Sequence, residues 1–166
     1  MGKTVTMAEE MQAAAQESRA GHAIQTFRAR IPGLGVIAGL DVGRRRVGVA
    51  VSDVARRLAV AALVCPRVGD HQVLREALHA RDVAGLVIGW PLHMNGKTSA
   101  RCQSVRRFVG DLKGHHPWPV LLWDERLTSR GAQRGQDAPV TDAQVAAMIL
   151  QSALDRLSLV SFEKKS

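Results

Sequence analysis

The stretch Gly39–Asp53, GLDVGRRRVGVAVSD, constrains the fold more than any other part of this sequence. It begins inside an apolar run, Val36-Ile37-Ala38-Gly39-Leu40, that stops abruptly on Asp41. Gly43 marks a turn, and Arg46–Ser52 (RVGVAVS) then alternates β-branched with small residues. Two strand-forming runs joined so closely pair as an antiparallel hairpin, because a parallel crossover needs a dozen residues or more. A third apolar run, Leu58–Val64 (LAVAALV), extends the meander.

Beyond it the period changes. Asp70–Ala80 reads as a short amphipathic helix with Val73, Ala77 and Leu78 on its inner face. Gly85–Gly89 (GLVIG) is a compact apolar run of the kind buried in parallel sheets. A loop from Trp90 to Lys97 leads into a helix over about 98–113, where Val105, Phe108, Val109 and Leu112 follow helical spacing. Pro119–Trp123 is a fifth strand, ended by Asp124. A short helix is expected from Thr128 to about Arg134, followed by a Gly/Asp/Pro break over 135–139. The last helix runs from about Asp142 to Leu157, with Val145, Ile149 and Ala153 inward. This order predicts an α/β fold: a mixed five-stranded sheet, three antiparallel strands then parallel ones, with helices on both faces. Residues 1–33 read as an N-terminal extension, flexible or loosely helical, set off by Ile31-Pro32-Gly33. Residues 34–160 make the one domain, and 161–166 a tail.

Composition narrows the function classes. At 166 residues and 46% hydrophobic, the chain can bury a real core, and no apolar run approaches the roughly 20 residues of a membrane span. Glu9, Glu10 and Glu17 interrupt the start, which argues against a signal peptide and for a cytoplasmic protein without membrane association. Cys65 and Cys102, far apart, are expected to be buried free thiols. The six histidines share no metal spacing, so zinc is not expected. Lys and Arg outnumber Asp and Glu by 23 to 15, a formal +8. Such an excess serves solubility or grips a polyanion, of which nucleic acid is the commonest. The clusters Arg44-Arg45-Arg46, Arg56-Arg57 and Arg106-Arg107 favour the second. Three Phe, three Trp and no Tyr leave little for base stacking, so grip on backbone and shape is expected.

Four words carry the chemistry: GLDVGRRRVGVAVSD (39–53), VIGWPLHMNG (87–96), DERLTS (124–129) and DAQVAAMILQ (142–151). Three of them deliver an acid at an element boundary, as a metal-dependent phosphodiester-cutting site requires: hard divalent cations prefer oxygen ligands and clamp attacking and leaving oxygens in line. Each acid has a structural alternative. Asp41 could serve the Asp-Val-Gly turn, though a carboxylate deep in an apolar strand costs several kcal/mol unless compensated. Asp124 and Glu125 point to opposite faces if the strand continues, so only one can reach a shared site. Asp142 stands where an N-cap belongs. Arg44, Arg45 and Arg46 could contact phosphate beside Asp41 or be a solvated turn. Asn95, Lys97 and Thr98 precede a helix N-terminus, whose N–H groups and dipole suit an anion. Arg126 either touches substrate or braces its turn.

Together and in this order, the four words resemble the YqgF (RuvX-like) family, Holliday-junction-resolvase-like nucleases, over about residues 35–157. The resemblance implies an RNase H-like fold and an active site with one or two Mg²⁺ or Mn²⁺ ions. It assigns catalysis and metal binding to Asp41, Glu125 and Asp142. It also implies a substrate, the 5′ end of precursor 16S rRNA in ribosome biogenesis, and partners among structured rRNA and ribosomal assembly intermediates, for a monomer or weak dimer. Two alternatives stand beside it: a junction resolvase cutting DNA with the same chemistry, and a nucleic-acid-binding factor without cleavage. Val42 departs harmlessly from the family's pattern. The segment between DERLTS and Asp142 is shorter than usual, with Gly135–Pro139 replacing a Lys/Arg-rich loop, and the N-terminal extension has no counterpart.

Overall fold

The computed structural model of the protein describes residues 7–128 and 139–162. Its elements are α1 (Met7–Arg30), β1 (Val36–Val42), β2 (Arg46–Ser52), β3 (Ala59–Pro66), α2 (Gln72–His79), β4 (Val83–Trp90), α3 (Ala100–His115), β5 (Val120–Asp124), a 3-10 turn (Glu125–Leu127) and α4 (Asp142–Phe162). The five strands form one sheet in the order β3-β2-β1-β4-β5. β1–β2 and β2–β3 pair antiparallel, β1–β4 and β4–β5 parallel. The mixed sheet expected from the sequence is therefore present. The helix expected after Thr128 lies outside the described residues.

Strand alternation sorts the core into two layers. Leu40, Val47, Val49, Leu86 and Ile88 pack with Leu74 and Leu78 of α2 and with Val105, Phe108 and Leu112 of α3. On the opposite face, Ile37, Ala50, Val87, Leu121 and Trp123 pack with Ala146, Ile149, Leu150, Ala153 and Leu154 of α4. The helical part of the N-terminal extension joins this second layer: Ile24 and Phe27 of α1 are each 2% exposed, and a Cβ on Gly85 would sit 3.0 Å from the Phe27 ring.

The inner face assigned to the second helix needs correction. Val73 is exposed, while Leu74 and Leu78 are buried, with Ala77 between. An eight-residue helix buries only a narrow stripe, and the i, i+4 leucine pair outcompetes a stripe centred one residue earlier. Both cysteines are buried free thiols, as expected. Among the described residues no helix is long and apolar enough to cross a membrane.

Candidate active site

β1, β4 and β5 run parallel, and their carboxyl ends lie together, where open α/β sheets place their sites. Asp41 is the penultimate residue of β1 and 8% exposed. Its face is fixed by Gly39, two residues earlier, where a Cβ would meet Leu150 and the Ala146 carbonyl. Alternation places Asp41 on this same α4-facing side.

Both lateral neighbours of Asp41 are glycines. Across the antiparallel pair Asp41 stands opposite Gly48. In the parallel pair Leu40 aligns with Ile88, so the next step aligns Asp41 with Gly89. A Cβ on Gly48 would run into the Asp142 carbonyl and approach the Ala143 nitrogen at 2.8 Å. A Cβ on Gly89 would stand 2.8 Å from Glu125 Oε1 and 2.8 Å from Ile149 Cδ1. The two missing side chains thus make the space in which the Asp142 backbone and the Glu125 carboxylate come down on either side of Asp41.

Each acid is placed by its own device. Strand β5 ends at Asp124, whose carboxylate caps the 3-10 turn by accepting the Arg126 N–H at 3.0 Å. It also grips the Arg126 guanidinium, Nη2 at 2.6 Å and Nε at 3.0 Å. This hydrogen bond raises the Arg126 pKa above its ordinary range. Asp124 is thereby engaged, and Glu125 is the member of the pair lying over Gly89. The turn is tied to α4 through Ser152, which accepts from Trp123 Nε1 at 3.1 Å and donates to the Leu127 carbonyl at 3.0 Å.

At the start of α4, Thr141 and Gln144 form a reciprocal capping box: the Gln144 N–H donates to Thr141 Oγ1 at 3.2 Å and the Thr141 N–H to Gln144 Oε1 at 2.8 Å. With Thr141 in the cap, the Asp142 carboxylate is released from that duty. It meets Arg46 instead, Oδ2 to Nε at 3.0 Å. The T-D-A-Q spacing is the signal in the sequence that identifies this cap.

The expected substrate-binding residues ring the same end of the sheet. Arg44 and Arg45 are exposed in the β1–β2 turn. Arg67 bolts that turn to α3: its Nη1 donates to the Gly43 carbonyl at 2.8 Å and to Ser104 Oγ at 3.0 Å, and its backbone N–H donates to the Arg45 carbonyl. Its guanidinium lies 5.5 Å over the Phe108 ring, and burial lowers its pKa. No motif marks this role, since a lone arginine after a strand carries no local signal. Asn95, Lys97 and Thr98 are exposed in the loop after β4. The N–H groups expected to face an anion there are partly used: Asn95 Oδ1 accepts the Lys97 N–H at 3.0 Å, and Ser99 caps α3 by accepting from Cys102. Arg126 braces its own turn and reaches the Met94 carbonyl of this loop at 3.4 Å.

Carboxylate oxygens are the donor type a hard divalent cation takes, so Asp41, Glu125 over Gly89 and Asp142 at the start of α4 fit such an ion in kind. Among the described residues, no three His, Cys, Asp or Glu side chains already form a coordination shell. One Asp142 oxygen, Oδ2, is shared with the Arg46 guanidinium.

Residues 35–156 match the family model described as "RuvX: Holliday junction resolvase". A relative from Paracoccus denitrificans named "Putative pre-16S rRNA nuclease" is 39% identical over 146 residues, covering 81% of this chain and 92% of its own. One of the same name from Rhodospirillum rubrum is 40% identical over 147 residues, covering 81% and 91%. Among solved structures, Thermus thermophilus RuvC in complex with a Holliday junction substrate matches with TM-score 0.50 at 14% identity, over 76% of this chain and 96% of that one. That likeness concerns the fold, which is RNase H-like. With the family model spanning the whole sheet and all three acids, the chain belongs to the RuvX family.

Proposed function

We propose that this protein is a divalent-metal-dependent nuclease that cuts structured RNA, with the 5′ end of precursor 16S rRNA as its substrate, in the cytoplasm. The observation that carries the chemistry is Asp41 flanked by two glycines, beneath Glu125 on one side and Asp142 on the other. The names of the relatives support the choice of RNA. Asp41, Glu125 and Asp142 would hold Mg²⁺ or Mn²⁺, which when bound supplies the charge that activates water and neutralises the departing oxygen. Arg44 and Arg45 would grip flanking phosphates, and Lys97 would approach from the neighbouring loop. Asp124 and Arg126 position Glu125 by fixing the turn that carries it.

The family's description favours a second reading, cleavage of four-way DNA junctions. Both substrates would be offered to one preparation in Mg²⁺ or Mn²⁺ while its oligomeric state is recorded. Cutting of 5′-extended 16S precursor by a monomer or weak dimer supports the RNA reading. Paired symmetric nicks in a junction, made by a dimer, would replace it.

A further inference from the structure

In the Arg46–Asp142 pair a proposed metal ligand is held by a proposed phosphate-binding residue. Its geometry is good, 3.0 Å from Nε to Oδ2, yet its side chains are 69% and 34% exposed. An exposed pair of this kind is worth at most about 1 kcal/mol, so it can be exchanged readily. Its position is nevertheless fixed. Arg46 opens β2 two residues before Gly48, and Asp142 is pinned over Gly48 by the close passage of its own backbone. Thr141 and Gln144 hold the helix start in register with the strand.

Resting on the function proposed above, we infer that Arg46 is an exchangeable stand-in for the cation. Without nucleic acid, its guanidinium neutralises Asp142 and competes with the metal for that carboxylate. A phosphodiester is a better partner, because its oxygens match the guanidinium fork. When a phosphate takes Arg46, Asp142 is handed to the metal. Substrate and metal then strengthen one another's binding by the same factor, as linkage requires. The arrangement favours metal loading when a phosphate is present to be cut. Arg46 acts here as a positioning residue for Asp142 as well as a phosphate contact, which separates it from Arg44 and Arg45 in the same turn.

Two binding measurements test the exchange without any reading of activity. First, Mn²⁺ affinity is compared for the wild type, Arg46→Met and Arg44→Met, without nucleic acid. Both substitutions remove one charge from the turn, but only the first removes Asp142's partner. Arg46→Met should tighten Mn²⁺ about fivefold and Arg44→Met less than about twofold. Second, affinity for 5′-extended 16S precursor RNA is measured in EDTA, where no cutting occurs, for the wild type, Asp142→Asn, Arg46→Met and the double variant. Asp142→Asn should tighten RNA about threefold when Arg46 is present, and clearly less when it is absent. Unchanged thermal midpoints establish that the variants fold. Equal Mn²⁺ shifts for the two arginine variants, or an additive RNA cycle, would overturn the exchange alone. A wild type that binds no Mn²⁺ would overturn the metal reading and the exchange with it.

Discussion

Asp41 and Gly48 face each other across the β1–β2 pair, and the main chain of Asp142 passes where a side chain at position 48 would stand. Helix α4 can reach the sheet there only because residue 48 has no Cβ. Gly48→Ala should push the start of α4 outward and destabilise the fold by about 1–3 kcal/mol or more, since backbone atoms cannot rotate aside. Gly89→Ala meets the end of a side chain, Glu125 Oε1, together with Ile149 Cδ1. It should cost less stability but displace Glu125, lowering the cleavage rate by roughly 10²-fold. Denaturant titration beside single-turnover cleavage checks the contrast.

The capping box separates two roles that the sequence alone left competing at Asp142. Thr141→Ala removes the cap and should cost about 1 kcal/mol of stability. Asp142→Asn breaks only an exposed ion pair and should leave stability nearly unchanged while abolishing cleavage. Thermal melts of the two variants check this, and a larger loss for Asp142→Asn would make it the structural residue.

The antiparallel-then-parallel switch was legible because connection length and apolar period dictate it directly, whereas the placement of β4 beside β1 comes from the structure. Less legible was anything that depended on how elements meet. Gly48 and Gly89 look like ordinary strand glycines until α4 and the 3-10 turn are laid over them. Helical spacing groups Val73 with Ala77 on one stripe, whereas contact with α3 and the sheet selects Leu74 and Leu78. Strand alternation alone leaves Asp124 and Glu125 as alternatives; the family resemblance favours Glu125, and Arg126 occupies Asp124. Conversely, T-D-A-Q has the spacing of a capping box, a signal that a reading centred on Asp142 as the cap passes over.

Helix α1 contributes to the core and not only to an appendage. Phe27 is 2% exposed, and its ring lies beneath Gly85 of β4. Phe27→Ala should therefore destabilise the whole domain by about 3–5 kcal/mol, measured by denaturant unfolding. An unchanged midpoint would mean that residues 1–33 are dispensable for folding.

A pH effect follows from His71, which is 6% exposed and packed at 4.9 Å against the Phe108 ring. Burial pushes its pKa below the ordinary value, with Arg67 and His115 acting the same way and Asp111 and Asp70 opposing. His116 is lowered too, by burial and by His79. The unfolded chain therefore binds more protons than the folded one. Stability should be full above about pH 6.5 and fall as pH drops through the lowered folded values. Denaturant midpoints at about pH 7.5 and about pH 5.5 measure the loss, and His71→Phe should reduce it.

The most direct test of the central claim is cleavage of 5′-extended precursor 16S RNA by the wild type and by Asp41→Asn, each in Mg²⁺, Mn²⁺ or EDTA. The account predicts cutting by the wild type in metal, none in EDTA, and none by Asp41→Asn although that variant still folds and binds RNA. Cutting by Asp41→Asn at the wild-type rate, or wild-type cutting undiminished in EDTA, would contradict it.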